Sequence, residues 1–365
     1  MTALLRRLAL TLAVLAAAPA HAQEVVKYGA EFLASGVGAR ALGMGGAYVA
    51  HADDVTAGYW NVAGLDALVQ PEAAYMHAER FDGAVSFDYA AVAYPLTSRS
   101  TVAVSFVRSA VDDIANTLDA YDPVTGTLNP DNVTLFSAAD NALFVSYARG
   151  LSDRLSIGAT AKVIRRGVGD FASAWGYSLD LGAQLDLGRV RLGLNLQDAT
   201  SMVQSWSVDA ERFAEVEEAS RPVGLTELVL PVARLGASTD VPLSDDLALT
   251  LATDLDLAFD GQSANVLDAG GVSFRPRLGA EMTYRDVLAF RAGIADVATS
   301  DDFGTQLTPS VGAGVRLGRF DVDYGFGDFG GLASELGYAH RVSLAYRFGG
   351  VAGPAIPSGE PSPQP

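Results

Sequence analysis

The chain has 365 residues, no cysteine, and a formal net charge of −18 from 25 Lys and Arg against 43 Asp and Glu. Without cysteine it cannot rely on disulfides, so stability must come from backbone pairing or a core. The acid excess excludes the basic face that a nucleic-acid partner requires, and the length fits either two ordinary domains or one large barrel.

The first element is a leader at residues 1–22. Arg6 and Arg7 precede an apolar run at 8–18, and Ala20-His21-Ala22 precedes Gln23. This is a charged n-region, a short h-region and an A-x-A cleavage site. The run is too short to span a bilayer as a helix. The mature chain is therefore expected to begin near Gln23, outside the bacterial cytoplasm. Residues 23–70 follow, rich in small side chains and without alternation.

From Pro71 onward, apolar and polar residues alternate with period two. The pattern predicts fourteen strands at 71–79, 84–95, 100–109, 141–150, 154–166, 174–186, 189–198, 230–240, 245–258, 272–284, 287–296, 307–317, 319–328 and 338–348. In 247–259, for example, Leu247, Leu249, Leu251, Leu255 and Leu257 share one face and Thr250, Asp254 and Asp256 the other. A soluble sheet with one wet face would alternate in the same way. Loop length separates the two cases. Connections after even strands are all short: 96–99, 151–153, 187–188, 241–244, 285–286 and 318. Connections after odd strands include every long one: 110–140, 167–173, 199–229, 259–271, 297–306 and 329–337, with 80–83 the short exception. One rim of short turns and one of long loops is the asymmetry of an outer-membrane β-barrel. The expected fold is thus all-β: a transmembrane antiparallel barrel at 71–348. The remaining 349–365, rich in Pro and Gly, is expected to be a disordered periplasmic tail.

If the apolar faces meet lipid, the opposite faces line a lumen. They carry Lys162, Asp180, Arg191, Asp254, Asp256, Arg275, Arg277, Glu281, Arg291, Asp321, Asp323, Arg341 and Arg347 among others. Mixed signs suggest ion-pair networks that hold neighbouring strands. Pro276 interrupts a regular strand between Phe274 and Leu278. It cannot donate to a ladder, so it marks a bulge or a local lateral opening. An unbroken ladder there would count against an opening.

The segment at 28–65 carries a long ordered motif: Phe32-Leu33, Gly36, Gly38-Ala39-Arg40, Gly43-Met44-Gly45-Gly46-Ala47, Ala52-Asp53-Asp54, Tyr59-Trp60-Asn61 and Gly64. It resembles the N-terminal signature of the PorV/PorQ family within the FadL-like outer-membrane barrels. Val62 stands where the family's Asn-Pro-Ala-Gly element has proline. The resemblance implies a fourteen-stranded barrel with residues 23–70 as a hatch inside the lumen. Arg40 can then fork toward lumen carboxylates such as Asp254, Asp256, Asp321 or Asp323. Asp53 and Asp54 can cap a short helix, and Tyr59 and Trp60 can close gaps against the wall.

Catalytic constellations are missing. His51, His77 and His340 are far apart, no metal-ligand spacing occurs, and no G-x-S-x-G elbow is present. Ser343 points away from His340, against a lipase pairing. Gly36-x-Gly38 with Gly43 lacks the strand and spacing of a dinucleotide loop, and Asp254-x-Asp256 lacks the spacing of a calcium loop. The expectation is a non-enzyme with no cofactor and no metal, in contact with outer-membrane lipid. Three functional readings remain. The resemblance implies help with type IX secretion, through secretion-system subunits and cargo proteins. The alternatives are FadL-like passage of a hydrophobic small molecule and a structural barrel without cargo. A secretion role would place partners on the loops at 110–140 and 199–229, the second holding Trp206 and Phe213 among glutamates.

Overall fold

The computed structural model describes residues 25–26 and 30–349, apart from 82, 119, 123–124, 214–221, 259–266, 269–271, 301–303 and 329–337. The leader at 1–22 and all of the tail after Gly349 lie outside the described residues.

Fourteen long strands make one antiparallel wall. They are β1 Glu72–Arg80, β2 Val85–Thr97, β3 Ser100–Asn116, β4 Thr134–Gly150, β5 Leu155–Val168, β6 Ala172–Asp186 and β7 Val190–Gln197. Then come β8 Val232–Ser244, β9 Leu247–Ala258, β10 Ser273–Tyr284, β11 Leu288–Ser300, β12 Gly304–Leu317, β13 Phe320–Asp328 and β14 Tyr338–Arg347. Each pairs with the next, and β1 closes on β14 from Glu72↔Arg347 to Glu79↔His340. Closure removes the unpaired edge that a bilayer would not tolerate.

The alternation sorts the two faces as the sequence predicts. Val104, Val145, Leu179, Leu251 and Leu344 point outward and expose between 44% and 52% of their area. A band of such aliphatics around a closed barrel is the lipid-facing surface of a membrane protein. The interior is divided between two half-walls. On β1 to β5 the inward side chains are largely apolar: Met76, Phe87, Tyr89, Val107, Phe144 and Ile164 are all buried. On β8 to β14 they are mostly charged or glycine.

Two loop expectations are corrected. The stretch 110–140 is mostly wall, because β3 runs on to Asn116 and β4 begins at Thr134, across a register shift between Val111 and Ile114. A small hairpin, Tyr121–Asp122 with Thr127–Leu128, and a 3-10 turn, Pro130–Asn132, top it. The stretch 199–229 holds two further short strands. Met202–Val208 pairs with the upper end of β6, above the part that pairs with β7, and Thr226–Val229 pairs with Met202–Val208. Trp206 belongs to this sheet, beneath the Arg166 guanidinium at 5.2 Å.

Candidate functional site

Residues 30–68 are almost wholly buried and pack against the inward faces of the strands. The segment holds short helices, α1 Ala39–Gly43 and α2 Ala57–Trp60, and two 3-10 turns, Glu31–Ser35 and Val62–Ala67. The glycine motif lies against glycines of the wall, backbone on backbone. A Cβ on Gly279 would lie 2.4 Å from the Met44 carbonyl oxygen, and one on Gly293 would lie 2.1 Å from the Gly45 nitrogen. Gly45 has φ of +63°, and a Cβ there would lie 2.7 Å from the Ile294 nitrogen. Only glycine meets both demands. Gly45 N–H donates to Ser310 Oγ at 3.0 Å, which pins the turn to β12.

Polar groups fix the rest of the segment. Arg40 donates to both oxygens of Glu281, from Nε at 3.0 Å and from Nη2 at 2.9 Å. Its Nη1 donates to Asp53 at 2.7 Å and lies 3.6 Å from Asp54. A two-pronged guanidinium–carboxylate contact sets orientation as well as energy. The same Glu281 accepts from Arg291 Nε at 2.5 Å, and Arg291 Nη1 reaches Asp323 at 2.6 Å. His51 bridges Arg40 at 2.7 Å and Arg191 at 3.0 Å.

The Arg40 expectation is therefore corrected in its partners: they are Glu281, Asp53 and Asp54. The four carboxylates proposed for it are engaged elsewhere. Asp254 accepts the Tyr48 and Val49 N–H groups at 2.8 and 2.9 Å. Asp256 sits 2.9 Å from Arg277 and 3.4 Å from Arg234. Asp323 takes Arg291, and Asp321 takes Arg316 and Arg347. Arg275 faces Asp256 across the β9–β10 ladder. The capping expectation is corrected: the N-cap of α2 is Thr56, and no side chain caps the helix. Asp54 accepts the Thr56 N–H at 2.8 Å just before α2, while Asp53 is turned to Arg40. Burial alone would raise the Asp53 carboxyl, but Arg40 outweighs it and holds the group below the usual carboxylate range.

Asn61 joins segment to wall: Nδ2 donates to the Val49 and Ala183 carbonyls at 2.9 and 3.0 Å, and Oδ1 accepts the Ala63 N–H. Gly64 packs against the Ala52 carbonyl. Tyr59 meets the Phe144 ring of the wall at 6.0 Å. Trp60 lies chiefly within the segment, over Gly36 and beside Tyr48, with Nε1–H on the Val37 carbonyl at 2.9 Å. Gly38 precedes α1 at φ +82°, and its N–H meets Met76 Sδ at 3.0 Å. Gly46, also at positive φ, lies against Arg277, and Gly43 against Gly312.

Between this segment and the short-turn rim is a cavity of about 640 Å³, lined by Arg40, Asp53, Glu72, Arg191, Asp321 and Arg347 among others. No group of His, Cys, Asp and Glu able to hold a metal occurs among the described residues.

The wall is uneven around Pro276. On the β9 side the ladder continues without a shift from Leu247↔Tyr284 to Ala258↔Ser273, through Leu255↔Pro276. On the β11 side it runs only from Tyr284↔Leu288 to Leu278↔Ile294. Beyond that rung the ladder with β9 goes on to Ala258↔Ser273, while the regular register with β11 ends. β11 itself continues along β12 with a register shift between Ala295 and Ala298. The last rung, Leu278↔Ile294, sits directly over the Gly45 turn. It also borders an apolar trough of about 560 Å³ on the outer face, lined by Leu251, Thr253, Ala280 and Ala292 among others.

Three contributors escaped the sequence reading: His51, the wall glycines and Ile294. The glycines had a signal, since each stands at an inward position of an otherwise regular alternating strand, where a missing side chain implies close backbone approach.

No family model matches the chain, and no curated protein sequence does. Solved structures do match its fold. The Pseudomonas putida toluene transporter TodX is 11% identical over 88% of this chain and 98% of that one, with a TM-score of 0.53. The CymD monoaromatic hydrocarbon channel is 16% identical over 86% and 98%, at 0.52. A FadL homologue of Pseudomonas aeruginosa is 14% identical over 86% and 98%, at 0.50. The chain is a closed 14-stranded antiparallel barrel of FadL-like architecture. None of these neighbours is a PorV or PorQ protein, so the finer resemblance rests on the motif at 28–65.

Proposed function

We propose that this protein is an outer-membrane channel for hydrophobic small molecules, with residues 30–70 as its hatch and the seam between β10 and β11 as a lateral exit into lipid. The carrying observation is the one-sided ladder at Pro276. An apolar molecule in a polar lumen has no reason to continue into the aqueous periplasm, and the hatch and the charged cavity below it block that route. A sideways exit requires a gap in the wall, and backbone left unpaired at membrane depth is tolerated only where it lines a cavity. The two fold neighbours described as monoaromatic hydrocarbon channel and toluene transporter support this substrate class. The glycine turn under the last rung offers a coupling: moving residues 43–46 would move the floor of the exit. The secretion role implied by the motif at 28–65 has support from those motif residues alone.

The chain contains no cysteine, so an engineered pair acts alone. Continuing the register past Leu278↔Ile294 would set Pro276 opposite Asp296. P276C/D296C, reconstituted in liposomes, is expected to lose toluene uptake on oxidation and regain it on reduction. Equal uptake by the crosslinked and reduced forms would sink the lateral-exit reading.

A further inference from the structure

The outer face of β1 to β6 carries one polar row in consecutive register: His77, Asp88, Arg108, Asn141, Arg165 and Trp175. Two residues toward the short turns, on the same face, the strands show Tyr75, Ala90, Phe106, Leu143, Val163 and Tyr177, none of them charged. Two residues toward the long loops stand Glu79, Ser86, Ala110, Ala139, Gly167 and Ser173. The row is therefore the border at which the apolar band ends on the long-loop side.

Its charges are not balanced evenly. Asp88 is engaged at one end, accepting from Tyr75 Oη at 2.6 Å and bonded to His77 Nδ1 at 2.8 Å. Arg108 donates to Asn141 Oδ1 at 3.4 Å, and the Arg165 guanidinium lies 5.6 Å from the Trp175 ring centroid. Among the described residues neither arginine forms an ion pair with a carboxylate, whereas the inward Arg277, Arg291, Arg316 and Arg347 all do. An acidic chain has thus set two cations on its membrane-facing side, at the edge of the apolar band. Arg108 has Asp88 opposite it but turned to Tyr75 and His77, and Arg165 has no acid in register on either side.

We propose that Arg108, Asn141 and Arg165 form a site for the phosphate of an outer-leaflet lipid, whose acyl chains lie along Phe106, Leu143 and Val163. The two arginines stand two strands apart, about 10 Å. A phosphate set over the Asn141 amide is within reach of both. Guanidinium groups match phosphate oxygens two at a time and lose less hydration than an ammonium. Trp175 and Tyr177 supply the aromatic anchors usual at a membrane interface. The site requires that the barrel cross the outer membrane, and it does not depend on what the channel transports.

The test is native mass spectrometry of the purified barrel in detergent with doubly phosphorylated lipid A and its dephosphorylated counterpart. The unaltered protein is expected to retain the phosphorylated lipid preferentially. R108Q/R165Q is expected to bind it about thirtyfold more weakly, while R149Q, on the outer face near the short-turn rim, behaves as the unaltered protein. Retention by R108Q/R165Q equal to that of the unaltered chain overturns the proposal. So does indifference of the unaltered protein to the phosphates, a readout that stands even if the double variant fails to assemble. Complete displacement by millimolar inorganic phosphate would assign the arginines to a free anion instead, and retention of a co-purified protein in place of lipid would assign them to a polypeptide. A failed toluene assay with intact lipid binding would count against the channel reading alone.

Discussion

Two seams of the same barrel differ in how far they are closed. Between β3 and β4 the ladder runs from Ser100↔Arg149 to Asn116↔Thr134, well past the apolar band, with one register shift near the top. Between β10 and β11 it stops at Leu278↔Ile294. Behind the first seam stand Val107 and Phe144, both buried, with the Phe144 ring against Tyr59. Behind the second stand Gly279 and Gly293, with the Met44-Gly45 backbone pressed on them. A seam backed by interlocked side chains resists opening, because parting it exposes apolar surface and breaks several backbone bonds. A seam backed by a glycine turn has no interlocked apolar side chains there to lose; the Glu281–Arg291 pair ties it further toward the short turns, and Pro276 leaves it one donor short on the long-loop side.

The sharpest way to break this contrast is to lock each seam in turn. P276C/D296C should abolish toluene uptake when oxidised, while F106C/L143C, across a completed rung of β3–β4, should leave uptake unchanged in both redox states. The contrast is lost if the two crosslinks act alike. Next in size is Gly45→Ala. The positive φ and the approach to Ile294 should together destabilise the segment by about 3 kcal/mol. Amide exchange at residues 39–50 would report it, and protection equal to the unaltered protein would show that the turn does not bear on β11. Arg40→Ala should cost less, about 2 kcal/mol, because Glu281 keeps Arg291 as a partner. Its signature is raised single-channel conductance. Arg40→Lys should recover only part of the effect, since an ammonium cannot hold both Glu281 oxygens as the fork does.

The strands were legible because a barrel wall imposes period two on every segment that touches lipid on one side and lumen on the other. All fourteen follow that rule, and the parity of turn length separates a membrane barrel from a soluble sheet. The ends of β3 and β4 were not legible. Beyond the bilayer the outer face is wet, so Asp112, Asp113 and Asn116 read as loop although the backbone pairing continues. Met202–Val208 and Thr226–Val229 escaped because they fill one gap in the wall jointly, which local periodicity cannot show. The motif at 28–65 pointed to a packed segment, but the partners of Arg40 depend on how the chain doubles back at Gly45 and Gly46. That turn brings Asp53 beside Arg40, and no spacing rule selects Glu281 from the other lumen acids. Pro276 carried a real signal, because a residue without an N–H must interrupt a ladder somewhere. The sequence could not say which neighbour loses the rungs.

A gentler change sharpens the comparison at Pro276 itself. Pro276→Val restores the missing donor without a crosslink and suits an outward strand position. It should extend pairing toward β11 and slow toluene uptake by a few-fold, with no loss of folded barrel by gel mobility before and after heating. Unchanged uptake would place the exit elsewhere on the wall.

The smallest effect expected is with pH. Asp53 has its carboxyl held below the usual range by Arg40, so its contribution to holding the segment is fully present above the unfolded value of about 3.9 and is lost as pH falls through the lower folded value. Tryptophan emission, which samples Trp60 in the segment, should therefore include a transition below about pH 4 that Asp53→Asn removes. The same transition in Asp53→Asn would mean that the Asp53–Arg40 contact does not hold the segment against β10.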